Sequence, residues 1–162
     1  MDKKHLPLWA RLVLGLLALL VILVGGFVLW GSTPAHPMPE AFALVTSLAD
    51  ANPAEPWLTF SPAGGAPTVG LILYPGGRVD FRAYAPAAQA IAEEVYLVAL
   101  VRMPLNLAVF DPNAAAEVIA VHPEIEHWAV GGHSLGGAMA AHFAATHVWA
   151  VDGLVLWAAY PA

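Results

Sequence analysis

The chemistry in this sequence gathers around Ser134. Gly132-His133-Ser134-Leu135-Gly136 has the G-x-S-x-G spacing, which seats a serine between small residues on a sharp turn. Five positions with two of them free recur by chance, so the flanks carry the inference. An apolar run, His127–Gly131, ends just before the motif, and a helix-forming stretch, Leu135–Thr146, starts inside it. A strand-to-helix turn there would hold Oγ out of the sheet as a nucleophile. It would also aim the Leu135 N–H into the site as one half of an oxyanion hole. The other half is expected from Pro75-Gly76-Gly77-Arg78, with Gly77 and the backbone N–H of Arg78 as donors, because glycine lets backbone approach closely. A competing reading, with Ser134 as a helix cap and the Gly-Gly loop as a plain tight turn, assigns no chemistry.

A serine hydroxyl needs a base within about 3 Å of Oγ, itself oriented by a third group. His5 and His36 flank an apolar span, and His122 and His127 precede the third strand, at the wrong end for ligands in an open α/β sheet. The ring of His133 leaves a sharp elbow in another direction, while His142 and His147 lie about 12 and 20 Å along a helix. Asp152, the one acid after Ser134, precedes the last strand, again at the wrong end. None of these is expected to complete a relay. Asp80, Arg82, Arg102, Met103 and Asn106 are expected as solvated loop side chains at a pocket mouth, with Asp80 and Arg78 as a surface pair. Trp149, Trp157 and Tyr160 are expected in the core. No metal site and no cofactor are expected. His122-Pro-Glu-Ile-Glu-His127 is a weak ligand spacing, and G-x-G-x-x-G and Walker patterns are missing.

The elements that must position these residues read as an α/β alternation. Thr68–Tyr74 and Val95–Arg102 are continuous apolar runs, the mark of strands covered on both faces. Trp57–Phe60, His127–Gly131 and Leu154–Ala158 are further strands. Helices are expected over Phe81–Glu93, with Pro86 in its first turn, from an Asp111 cap to Val121, and over Leu135–Thr146. Strands alternating with helices give a mostly parallel sheet with helices on both faces.

Ahead of this lies Leu12–Gly31, twenty residues without a charge, about 30 Å of helix and one bilayer core. Trp9 and Trp30 sit at its ends and Lys3, Lys4 and Arg11 precede it, which places the N-terminus in the cytoplasm and the rest outside. The expected organisation is a basic segment 1–11, a transmembrane helix 12–31, a Pro-rich spacer 32–56 and an α/β domain 57–162. The spacer could carry a short helix within Glu40–Asp50. A cleaved signal peptide and a buried core helix compete with the anchor; the length of the run opposes both.

Composition agrees with a membrane segment joined to an acidic domain. Of the 162 residues, 59% are hydrophobic and 11% charged, and the net charge is −6. Residues 1–31 sum to +2 and residues 32–162 to −8, so a nucleic-acid binder would lack its basic footprint. With no cysteine, neither a disulfide framework nor a thiolate nucleophile exists. Oligomeric state is left open.

Leu71–Gly77 (LILYPGG), Leu97–Pro104 (LVALVRMP), Gly131–Gly137 (GGHSLGG) and Leu154–Pro161 (LVLWAAYP) together resemble the alpha/beta-hydrolase superfamily. More narrowly they are similar to small bacterial membrane-anchored alpha/beta-hydrolase fold-5 domain proteins. The resemblance implies a three-layer sandwich with Ser134 as nucleophile, Leu135 and the Gly77–Arg78 loop as oxyanion donors, and a small-molecule ester or related acyl substrate. It also implies a triad acid and a later histidine at or beyond the Leu154–Ala158 strand, which this chain does not reach. The expectation is therefore a fold incomplete at its C-terminus, a serine hydrolase when complete and inactive as this chain alone. The alternative is a non-catalytic or truncated domain of the same fold, with a binding or structural role.

Overall fold

The computed structural model of the chain describes residues 6–47 and 55–161. Lys3, Lys4 and His5, and stretch 48–54 of the spacer, lie outside the described residues. Helix α1 spans Leu8–Ser32, longer at its start than the charge-free run because Trp9, Ala10 and Arg11 continue the helix. It is long and apolar enough to cross a membrane, and most of its apolar side chains are exposed, with contacts to the rest of the chain at its C-terminal end.

The domain is a five-stranded sheet in the order β1-β3-β2-β4-β5, from β1 (Trp57–Phe60), β2 (Val69–Tyr74), β3 (Leu97–Val101), β4 (His127–His133) and β5 (Gly153–Trp157). Only β1 runs antiparallel, pairing Trp57 with Val101 and Phe60 with Val98. The continuously apolar runs β2 and β3 lie inside the sheet and are buried on both faces beneath helices, which is why they show no alternation. From β2 the chain crosses to β3 on one side and then back over to β4 on the other. That reversal leaves a crevice at the C-terminal ends of β2 and β4, where open α/β sheets bind ligands.

Helix α3 (Ala85–Ala92) covers one face with Ala85, Ala88 and Ala92 against Leu71, Leu73, Val98 and Leu100. On the other face α4 (Ala114–Val121) and α5 (Leu135–Thr146) bury Ala115, Val118, Ala140 and Phe143 against Ile72, Tyr74 and Val130. The expected helix over Phe81–Glu93 divides into a 3₁₀ turn, Phe81–Tyr84, and α3, with Pro86 in the first turn of α3. Asp111 does not cap α4, which begins three residues later behind Asn113. The Tyr74 hydroxyl accepts the Ala115 N–H at 2.9 Å and donates to the Pro112 carbonyl at 2.9 Å, so a side chain from β2 replaces the local cap. Burial pushes the Tyr74 pKa well above its ordinary value, against the opposing hydrogen bond from Ala115, so the phenol stays a donor.

Within the Pro-rich stretch, Ala35 bridges to Val79 as a short parallel pair. Helix α2 (Pro39–Ser47) then buries Ala41 and rests Leu44 and Val45 on the α3 side of the core. Trp149 and Tyr160, expected in the core, are 98% and 87% exposed, and Trp157 is half-buried. They lie on or beside β5, whose outer edge is unpaired among the described residues.

Candidate active site

Ser134 sits between β4 and α5 with φ 51° and ψ −120°, a left-handed backbone that a residue with a Cβ adopts at a cost of about 1–3 kcal/mol. Its N–H donates to the Trp157 carbonyl at 2.9 Å and its carbonyl accepts the Ala138 N–H at 3.1 Å, so β5 and the first turn of α5 hold the strained residue. Space, more than dihedral freedom, dictates the motif glycines. A Cβ on Gly136 would stand 2.3 Å from the Pro75 carbonyl oxygen and 2.4 Å from that of Tyr74; one on Gly132 would stand 2.6 Å from the Gly136 carbonyl carbon. The elbow and the end of β2 therefore touch backbone to backbone. The Ser134 side chain is exposed, and its Oγ has no hydrogen-bond partner among the described residues.

The Pro75–Arg78 loop lies beside Leu135. A Cβ on Gly77 would meet Leu135 Cδ2 at 3.2 Å and Leu107 Cδ2 at 3.6 Å. Of the N–H groups in this loop, that of Gly76 donates to the Tyr84 hydroxyl at 3.0 Å. That of Arg78, expected as an oxyanion donor, instead donates to the Asn106 carbonyl at 2.8 Å. The Gly77 and Leu135 N–H groups have no partner among the described residues. Two pinned neighbours thus hold an unengaged Gly77 N–H next to the first residue of α5.

The Tyr84 hydroxyl, which accepts from Gly76, also hydrogen-bonds with His133 Nδ1, 2.9 Å away. Burial raises the Tyr84 pKa, opposed by the Gly76 hydrogen bond, which keeps the phenol protonated. The His133 ring therefore turns toward Tyr84 and Gly76. The other described histidines are engaged elsewhere or exposed. His122 Nδ1 lies 2.8 Å from Glu124, His127 Nδ1 lies 3.2 Å from Asp152, and His147 stacks on Phe143 at 4.2 Å. Asp152 also accepts the Trp128 N–H, at the start of β4 and far from its C-terminal rim.

Of the loop side chains expected in solvent, Met103 is instead 3% exposed and packs in the core with Val101 and Ala108, and Asp80 is also buried. The expected Asp80–Arg78 surface pair does not form. Asp80 is buried and clamped by Arg82, with Nε at 2.9 Å from one carboxylate oxygen and Nη2 at 2.6 Å from the other. Burial raises the Asp80 pKa, but the Arg82 hydrogen bonds and the charges of Arg82 and Arg102 outweigh it and bring the carboxyl below its ordinary value. Arg78 turns away from Asp80 to the end of α1. Its Nε and Nη2 donate to the carbonyls of Trp30 (3.0 Å) and Thr33 (2.6 Å), and its guanidinium lies 4.5 Å from the Trp30 ring centre. Asn106 Nδ2 donates to the Gly31 carbonyl at 2.9 Å. A helix leaves its last carbonyls unpaired, and α1 has no basic residue in its last turn to serve them, which is the signal that donors must come from elsewhere in the chain. A cavity of about 450 Å³, lined by Ser32, Asp80, Arg82, Arg102 and Asn106 among others, opens beside this junction; Ser134 does not line it.

Sequence reasoning did not single out Tyr84, and it gave Asn106 only a place at the pocket mouth. Of the six described non-glycine residues with positive φ, four lie in this neighbourhood: Arg78 (57°), Leu105 (50°), Asn106 (54°) and Ser134 (51°). Such strain collects where surrounding contacts over-determine a functional geometry.

A sheet with this order, an elbow serine after β4 and helices on both faces define an α/β hydrolase. The family model for the alpha/beta hydrolase family matches residues 70–162, and the chain belongs to that family. Among solved structures it is similar to a probable hydrolytic enzyme from Pseudomonas aeruginosa PAO1, at 18% identity and a TM-score of 0.48, covering 62% of this chain. The match spans 35% of that enzyme's chain. No curated protein sequence matches.

Proposed function

We propose that the chain is part of a serine hydrolase that cleaves carboxylic esters or related acyl compounds through an acyl-enzyme on Ser134. The observation that carries the reading is the strained, exposed Ser134 beside two N–H groups, of Leu135 and Gly77, that have no partner among the described residues. In this mechanism Oγ attacks the acyl carbonyl carbon while its proton passes to a base. The carbonyl oxygen becomes an oxyanion facing Leu135 N–H and Gly77 N–H; its collapse expels the alcohol, and water then releases the acid. Arg78 supports the loop through its N–H on Asn106, so Gly77 takes the donor role. The family resemblance puts the acid and histidine after β5, which makes the base in this reading a group outside the described residues.

In the same reading residues 1–11 are cytoplasmic, residues 12–31 span the membrane, and the hydrolase domain lies on the outer side. Protease added to intact cells should remove a tag placed after residue 162 and spare one placed before Met1; the reverse pattern would sink the orientation.

The reading is tested by a fluorophosphonate probe. This chain alone should label slowly, since an oxyanion hole without an oriented base retains roughly 10³–10⁴-fold over water. A polypeptide carrying an acid and a histidine after β5 should label stoichiometrically at Ser134, and Ser134→Ala should abolish it. One observation favours a non-catalytic role, namely that no described histidine hydrogen-bonds to Ser134. Absence of labelling in the longer polypeptide would establish that role.

A further inference from the structure

The segment Pro104–Phe110 (PLNLAVF) touches both α1 and the candidate site. Toward α1, a Cβ on Gly31 would stand 3.0 Å from Leu105 Cβ, Asn106 Nδ2 holds the Gly31 carbonyl, and the Phe110 ring meets Phe27 edge-on at 6.1 Å. Toward the site, the Asn106 carbonyl holds the Arg78 N–H, and Leu107 flanks Gly77. Leu105 and Asn106 both have positive φ, so this path is held by contacts on both sides.

Phe27 lies one turn inside α1 from Gly31, about 6 Å along the helix axis. Phe110 therefore sits at the depth of the apolar helix and not beyond its end. Yet Val109 and Phe110 are 46% and 50% exposed, and the segment carries no charge. Water would be a poor neighbour for such a surface, whereas the boundary of headgroups and acyl chains suits it.

We propose that Pro104–Phe110 is a membrane-contact surface that dips into the outer leaflet beside α1 and opens the Gly77–Leu135 site toward the acyl chains. The substrate class that follows is an ester whose acyl chain stays in the bilayer, entering past Leu107, in place of a freely soluble short-chain ester. This rests on the reading of α1 as a membrane anchor, and the measurement below separates the two.

The chain has no cysteine, so single cysteines can be placed without altering a native thiol. In phosphatidylcholine vesicles, the full chain is labelled with a nitrobenzoxadiazole dye at Leu19→Cys, Phe110→Cys, Val109→Cys or Gly64→Cys and quenched by lipids bearing nitroxides at shallow or deep acyl positions. The dye at 110 and at 109 should be quenched by the shallow nitroxide at least about twofold more than at the solvent-facing 64, and the dye at 19 by the deep one. Quenching at 19 without quenching at 109 and 110 overturns the contact surface while leaving the anchor intact. No quenching at 19 overturns the anchor reading itself. Self-quenching at 110 that grows with protein density would assign the surface to a second copy and overturn the lipid. For the substrate, a phosphatidylcholine with a diazirine in its acyl chain should crosslink peptides containing Leu107 and Leu135; crosslinks confined to residues 8–31 would refute entry from the bilayer.

Discussion

The Tyr84 hydroxyl holds the glycine loop to the elbow, taking the Gly76 N–H and hydrogen-bonding with His133 Nδ1. Tyr84→Phe leaves the buried Gly76 N–H unsatisfied, which costs about 1–3 kcal/mol. Urea denaturation should show that loss, and probe labelling at Ser134 should slow because Gly77 is no longer held. Gly136→Ala is the harsher change. A methyl 2.3 Å from the Pro75 carbonyl oxygen must push the elbow off β2, for roughly 3 kcal/mol or more, read as a lower urea midpoint. At this scale the sequence showed the serine and its glycines, because close backbone contact admits one residue type. It did not show Tyr84, because a tyrosine eight residues past a loop carries no spacing rule; its partners are set by where the 3₁₀ turn sends the chain.

Elements were legible where burial is uniform and less so at their ends. β2, β3 and α5 stand within one or two residues of where apolar runs and the elbow placed them. The start of α4 was misread because its cap comes from Tyr74, 41 residues earlier than the Ala115 it serves, and no local pattern records that. The Asp80–Arg82 clamp was also hidden, since sequence alone shows two neighbouring charges and not that the Phe81–Tyr84 turn buries one of them. Its consequence is a pH dependence with a definite sign. The Asp80 carboxyl titrates below its ordinary value of 3.8 in the folded chain, so the clamp contributes fully above that value and is lost as pH falls through the lowered folded one. Asp80→Asn should lower stability at neutral pH, by about 1–2 kcal/mol if a charged hydrogen bond is lost, and flatten the dependence below pH 4. Urea midpoints measured between pH 2.5 and 7 check both; parallel curves for the two proteins would refute the assignment.

Among the described residues β5 is an outer strand of the sheet, with Leu154 42% exposed and its outer edge unpaired. An apolar open edge templates further pairing. The full chain in detergent micelles should therefore self-associate, and Leu154→Lys should shift it to smaller species by light scattering; unchanged size would place the association elsewhere. The mostly parallel sheet with helices on both faces followed from alternation and handedness, but the strand order and the manner in which the apolar helix meets the sheet did not. The prolines after Gly31 suggested a loose spacer, whereas Ala35 is strapped to Val79 and Arg78 grips the carbonyls of Trp30 and Thr33. That grip removes the swivel. A domain on a slack leash would tumble through a hemisphere above its attachment point and present its mouth to the bilayer only in passing. On the proposal that α1 is a membrane anchor, a domain bolted to its helix turns as the helix turns, about a single axis, so its mouth sweeps a fixed ring at constant height. Dyes on the domain and on α1 should then lose polarisation at the same rate, and Arg78→Ala should let the domain run faster than its stem.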